Sequence, residues 1–138
     1  MSAWILVFVA ASAMGEGDAL GLVLSGTVRQ PVAGLALSNG LRPGLAMTAK
    51  ALADELGPRG IRVFGLLPSQ IDTERVAELD SLTGNADAAR TRNCGAIPLR
   101  RYGRPEEFGK VAAFLLSPAA SYLTGLMVPV DGGALRHL

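Results

Sequence analysis

One cysteine, one histidine and seven aromatic side chains are all that this sequence holds of those types, and each scarcity removes a class of function. Cys94 alone closes no internal disulfide, which excludes a disulfide-stapled secreted scaffold and matches a reducing cytoplasm. There is no Cys/His cluster, and His137 stands isolated near the C-terminus, so no metal site is expected. Charge of one sign is missing as well. The 13 basic and 12 acidic residues are interspersed and leave a formal net charge of +1, which gives no field for a phosphate backbone and no nucleic-acid partner. Nor is there a long apolar run. The stretch 3–14 (AWILVFVAASAM) has twelve residues, too few to cross a bilayer. No Lys or Arg precedes it, so a buried helix is a better reading than a secretory leader, although Ala11-Ser12-Ala13 resembles a small-residue cleavage site.

What is present is an apolar, ordinary-sized domain. The 49% hydrophobic content and mean hydropathy of +0.33 exclude a disordered chain. They support one core in 138 residues and surfaces that favour being covered. Residues 1–14 read as a helix apolar all round, ended by Gly15 and Gly17. Residues 21–25 (GLVLS) form a continuous apolar run suited to a strand covered on both faces. Residues 26–37, with Pro31 and Gly34, read as loop.

Leu41, Leu45, Ala49, Leu52 and Leu56 then recur at helical spacing and form one stripe, stopped by Gly57-Pro58. A second line, Gly40, Gly44, Met47 and Ala51, is small or pliable and suits close approach of another helix. Pro43 is compatible with a helix only in its first turn. Residues 61–67 (IRVFGLL) read as a second buried strand. Residues 69–95 are polar and aperiodic, so they are assigned to a functional or disordered connection. Pro105 opens a further helix with Glu106 and Glu107 at its positive end and Phe108, Val111, Ala112 and Leu115 on its core face. Residues 126–130 form a third strand, followed by a turn at Asp131-Gly132-Gly133. Alternating helices and strands predict an α/β fold, a partial Rossmann-like parallel sheet of about three strands with flanking helices.

Four segments in register carry a family resemblance. Ser25 is followed thirteen residues later by Ser38 and four residues after that by Arg42. The helix leads into Ala53–Val63 (ADELGPRGIRV). Then come Leu67-Pro68-Ser69-Gln70-Ile71-Asp72-Thr73, residues 97–107 (IPLRRYGRPEE), and Tyr122-Leu123-Thr124-Gly125 with Asp131-Gly132-Gly133. From about Gly21 to Gly133 the chain resembles the C-terminal half of a short-chain dehydrogenase/reductase. That resemblance implies catalytic roles for Ser25, Ser38 and Arg42, with Ser38 and Arg42 in the places of the family's tyrosine and lysine. It implies cofactor contacts from Arg42, Pro68, Ile71 and Thr73, and NAD or NADP as cofactor.

The departures bear on activity. A tyrosine has a pKa of about 10, which a nearby ammonium lowers toward working pH. Serine is a far weaker acid and shorter by a ring. Arginine keeps the charge and adds donors. No GxxxGxG or GxGxxG occurs, and the glycine-rich stretch 15–21 precedes a strand rather than following one, so the nucleotide-binding front half is absent from these residues, and 1–138 is read as a single truncated domain with an atypical segment at 1–20.

The resemblance implies an NAD(P)-dependent oxidoreductase acting on a carbonyl or alcohol, of 3-oxoacyl type, impaired as an isolated chain. The alternatives are a non-enzymatic oligomerisation module, built on the helix at about 40–56 as a homo-oligomer, or a truncated remnant. Phe64 and Ser69 stand where relatives often carry asparagine and glycine. Phe64 reads as core, Ser69 as an altered turn.

Overall fold

The computed structural model describes residues 3–136, so His137 lies outside the described residues. The chain runs α1 (Ala3–Ala13), β1 (Ala19–Val23), α2 (Ala36–Leu56), β2 (Arg62–Pro68), α3 (Glu74–Ser81), α4 (Ala86–Ala96), α5 (Pro105–Leu116) and β3 (Leu126–Val130). Short 3-10 turns cover Gly26–Val28, Gly57–Arg59 and Pro118–Ala120. The three strands pair in parallel in the order β1-β2-β3, with Gly21 opposite Phe64 and Phe64 opposite Leu126.

Each face of the sheet carries its own helices, which is why β2 is continuously apolar. On one side Val7 and Ala11 of α1 and Ala46, Ala49, Leu52, Ala53 and Leu56 of α2 pack with Leu22, Val63 and Leu67. On the other, Leu115 of α5 and Ala120 pack with Phe64 and Leu66, joined by Phe108, Val111 and Ala112. The core face expected for α5 is the one observed. Phe64 is fully buried, and its ring needs the room Gly21 leaves: a Cβ at position 21 would stand 2.9 Å from Phe64 Cε2. The position read as core is core.

Arg62 is buried at the entry of β2. Its guanidinium donates to the carbonyls of Leu115 (2.6 Å), Ala120 (3.1 Å), Leu116 (3.3 Å) and Ser117 (3.1 Å), closing the C-terminal end of α5. Helix ends leave four carbonyls unpaired. Here one side chain from a neighbouring strand takes most of them.

Three expectations change. First, α2 starts at Ala36, within the segment read as loop, so Pro43 lies well inside the helix rather than in its first turn. The early start is supported by Asn39, whose amide exchanges two hydrogen bonds with the backbone of Val32 (3.0 and 2.9 Å). Second, residues 69–95 are largely helical. Thr73 and Asn85 cap α3 and α4 by accepting from Val76 N–H (3.4 Å) and Ala88 N–H (3.0 Å). Third, the α2 stripe is rotated. Ala46 and Ala53 join the core, whereas Leu41 stays exposed. Leu41 lies in the first part of α2, ahead of the turns that meet β2.

Candidate active site at the strand ends

In a parallel sheet the carboxyl ends of the strands converge on one rim, the usual place for a ligand in open α/β folds. Here that rim is formed by residues 23–28 after β1, 68–73 after β2 and 130–135 after β3. The predicted catalytic residues meet on the first of these segments. Ser25 lies two residues beyond β1, and its Oγ accepts from Thr27 N–H (3.3 Å), capping the 3-10 turn. Ser38, in the first turn of α2, has its Oγ 3.0 Å from Thr27 Oγ1. Thr27 is buried and joins the two serines, meeting Ser25 with its backbone N–H and Ser38 with its hydroxyl. Arg42 Nη1 donates to the carbonyls of Leu24 (2.6 Å) and Val23 (3.4 Å), and pins the end of β1 to α2. Among the described residues neither its Nε nor its Nη2 has a partner.

Two clefts adjoin this cluster. The hydroxyl cleft, of about 240 Å³, is walled by Ser25, Thr27, Gln30, Pro68, Val76 and Leu79. Among the described residues no charged side chain lines it. The second, of about 280 Å³, is almost wholly apolar and brings Pro68, Ile71 and Thr73 together with Val23 and Phe108. Three of the four predicted cofactor contacts therefore share one cleft. Arg42 reaches its edge only through Val23. Ser69 accepts from Ile71 N–H (3.1 Å), so the turn read as altered is a tight one. Thr73 Oγ1, besides capping α3, donates to Ile71 O (3.4 Å).

The sequence reading missed Thr27, Gln30, Val76 and Leu79. Nothing in the spacing of Thr27 sets it apart. Val76 and Leu79 sit three residues apart on one face of α3, the signal that the polar run around them concealed.

Electrostatics concentrate at the loop after α4 rather than in the clefts. Glu107 accepts both nitrogens of Arg101 (2.7 and 2.7 Å) and the N–H of Arg104 (2.8 Å), and these bonds, the Arg101 fork first, hold its carboxyl down to about 2. The fork of Arg90 on Asp72 (2.9 and 2.8 Å) likewise lowers the Asp72 carboxyl. A depressed carboxyl contributes stability above its unfolded value and loses it as pH falls through the folded one. Melting temperature is therefore expected to hold down to about pH 4.5 and fall toward pH 2. Glu107→Gln should remove that part of the acid loss, as thermal melts across the range will show.

A parallel sheet sandwiched by helices, with clefts at the strand ends, defines a Rossmann-like α/β protein. A profile described as enoyl-(acyl carrier protein) reductase matches residues 2–134. The chain belongs to the short-chain dehydrogenase/reductase family. It is 44% identical over 92 residues to the 3-oxoacyl-[acyl-carrier-protein] reductase FabG of Pseudomonas aeruginosa, covering 67% of this chain and 35% of that protein. It is 41% identical over 115 residues to protein FixR of Bradyrhizobium diazoefficiens, covering 83% and 37%. Among solved structures, a short-chain dehydrogenase/reductase of the glucose/ribitol dehydrogenase type from Brucella melitensis superposes with a TM-score of 0.85 at 29% identity, covering 97% of this chain and 52% of the other. The chain thus spans little more than a third of the curated relatives it matches and about half of the solved one.

Proposed function

We propose that the chain forms the substrate-facing half of an NAD(P)-dependent oxidoreductase site for a carbonyl or alcohol, with a 3-oxoacyl group as the substrate class. One observation carries this reading: an apolar cleft holding Pro68, Ile71 and Thr73 lies beside the Ser25, Thr27 and Ser38 cluster on a single rim. Its apolar walls fit the flat ring of a nicotinamide, with the Thr73 hydroxyl as a polar rim group. The fit ends there. No described strand runs through a glycine-rich turn into a helix, the arrangement that cradles a diphosphate.

A bound nicotinamide would supply or accept hydride. The rest falls to the chain. Ser25 offers a hydroxyl to a substrate oxygen. Ser38 pairs its hydroxyl with that of Thr27 but has no phenol's acidity, so it orients and does not protonate. Arg42 fixes the strand end through the carbonyls of Val23 and Leu24. The hydroxyl cleft is neutral, which suits an uncharged acyl or alkyl group.

Titration of the purified chain with NADH and NADPH, followed by fluorescence, tests this. Weak saturable binding without turnover of a ketone is expected. No saturable binding would remove the reading, and rapid turnover would show that a phenol and a phosphate cradle are dispensable.

A second reading, association of copies, is favoured by the apolar surface of the same helices. Ile5, Leu6, Phe8 and Val9 of α1 are about half exposed, and Met47 of α2 is 72% exposed beside exposed Gly40 and Ala51. Sedimentation should show a stable oligomer, and a strictly monomeric folded chain would count against it.

A further inference from the structure

The first turns of α2 are held mainly by polar contacts. Ala46 is the first buried residue of the helix, and Leu37 and Leu41 before it are exposed. Three side chains fasten this stretch. Ser38 Oγ meets Thr27 Oγ1, Arg42 Nη1 donates to Leu24 O, and Asn39 pairs with the backbone of Val32. In that pair Asn39 Nδ2 donates to Val32 O (2.9 Å), while Val32 N–H donates to Asn39 Oδ1 (3.0 Å). Val32 and Leu35 line the hydroxyl cleft, so one amide holds that part of its wall against the helix.

Two neighbours make this amide chemically vulnerable. Gly40 follows it, and a Cβ at position 40 would meet nothing within 4 Å, so the space beside that peptide is open. Glycine also keeps backbone freedom where a helix needs constraint. Pro43 lies four residues beyond Asn39. It has no N–H to return to the Asn39 carbonyl, and its ring crowds that oxygen. The turn carrying Asn39 and Gly40 therefore lacks both a helical bond and apolar burial. Such segments open locally at low free energy. Once the turn opens, the Gly40 nitrogen comes within reach of the Asn39 side chain, an approach that intact helix denies.

We propose that Asn39 is a site of spontaneous deamidation, and that the reaction unfastens the Val32 and Leu35 wall of the hydroxyl cleft. The step needs only water. The Gly40 nitrogen attacks Asn39 Cγ; an N–Cγ bond forms, the Cγ–Nδ2 bond breaks, and the amide leaves as ammonia with the Gly40 proton. Water then opens the cyclic imide at either carbonyl, leaving an aspartyl or an isoaspartyl residue, with no change of oxidation state. In the aspartyl product a carboxylate oxygen stands where Nδ2 donated, and it faces Val32 O with no hydrogen to share. In the isoaspartyl product an extra methylene enters the main chain and breaks the helical register. The helix dipole favours negative charge near its start, but that gain is small at an accessible position and fades beyond the first turn, so the lost pair decides.

The other asparagines serve as internal references. Asn85 is followed by Ala86 and Asn93 by Cys94. Asn85 Oδ1 accepts from Ala88 N–H as the cap of α4. Asn93 Nδ2 donates to Asp80 Oδ1 (3.1 Å) and to the Tyr102 hydroxyl (2.9 Å), which donates to Asp80 Oδ2 (2.8 Å), and Asp80 and Tyr102 are buried. Both should remain amides while Asn39 converts. None of this depends on nicotinamide binding, so failure of either reading leaves the other standing.

The test ages the whole 138-residue chain in mildly alkaline buffer and maps its peptides by mass spectrometry, with enzymatic methyl labelling of isoaspartyl groups. Residue 39 should convert first and yield both products. Gly40→Ala should slow the conversion strongly, since a side chain there hinders ring closure. Pro43→Ala, which returns an N–H to the Asn39 carbonyl, should slow it about tenfold. Asn39→Asp should quicken hydrogen exchange across residues 32–42 while β2 exchanges as before. Conversion of Asn39 no faster than that of Asn85, or a rate untouched by Pro43→Ala, would overturn the site. Unchanged exchange in Asn39→Asp would overturn the loosened wall.

Discussion

Replacing Arg62 with alanine should lower the unfolding free energy by about 3 kcal/mol, a loss that a denaturant melt with unchanged m-value will measure. The size follows from what the guanidinium does. It enters the interior without a carboxylate and is satisfied by four carbonyls at the end of α5 and the turn after it. Those carbonyls carry the negative end of the helix dipole, so a cation there is in the favourable position. Alanine leaves them facing apolar neighbours with no donor, and the cost is that of stranded acceptors more than of one lost bond. Arg62→Lys keeps the charge but has no planar fork to span the four oxygens, so about half of the alanine loss is expected. A change under 1 kcal/mol for alanine would mean that water reaches the helix end and that the clasp is ornamental.

Phe64→Ala should be of similar or greater size, about 3 to 5 kcal/mol. The ring is fully buried at the centre of the middle strand, between the partner strand's Gly21 and the face of α5. Two features forbid easy collapse of the cavity. β2 is paired on both sides, so its backbone cannot drift, and Gly21 has no side chain to move inward. The consequence reaches the rim. β1 carries Ser25 two residues past its end, and Arg42 holds that end by its carbonyls, so loosening the β1–β2 pair loosens the hydroxyl cluster. The predicted signature is faster exchange at residues 19–24 together with the lower melting temperature.

The strands and the α5 core face were legible because burial on both sides of β2 writes a continuous apolar run, and burial on one side of a helix writes a stripe. α3 and α4 were not, because caps at Thr73 and Asn85 and a buried polar trio hold them, and none of these leaves an apolar period. A capping serine, threonine or asparagine with an acidic first turn, as at Glu74 and Asp87, was the signal available. Pro43 misled the placement of the α2 start. Its missing N–H is a local rule, overridden here by the tertiary anchoring of Asn39 on Val32. Of the candidate site, the Ser25, Ser38 and Arg42 spacing picked out residues that the fold brings together at the end of β1. Thr27, the residue that joins the serines, carries no pattern of its own and emerges only from the fold.

β1 is bonded to β2 along one side and to no described strand along the other, and Val23 near its end is 60% exposed. A bare, partly greasy ribbon of this sort is a template for stacking neighbours. Handling will therefore depend on dilution: concentrated stocks should grow fibrous or gelled material from that flank, while dilute ones stay clear.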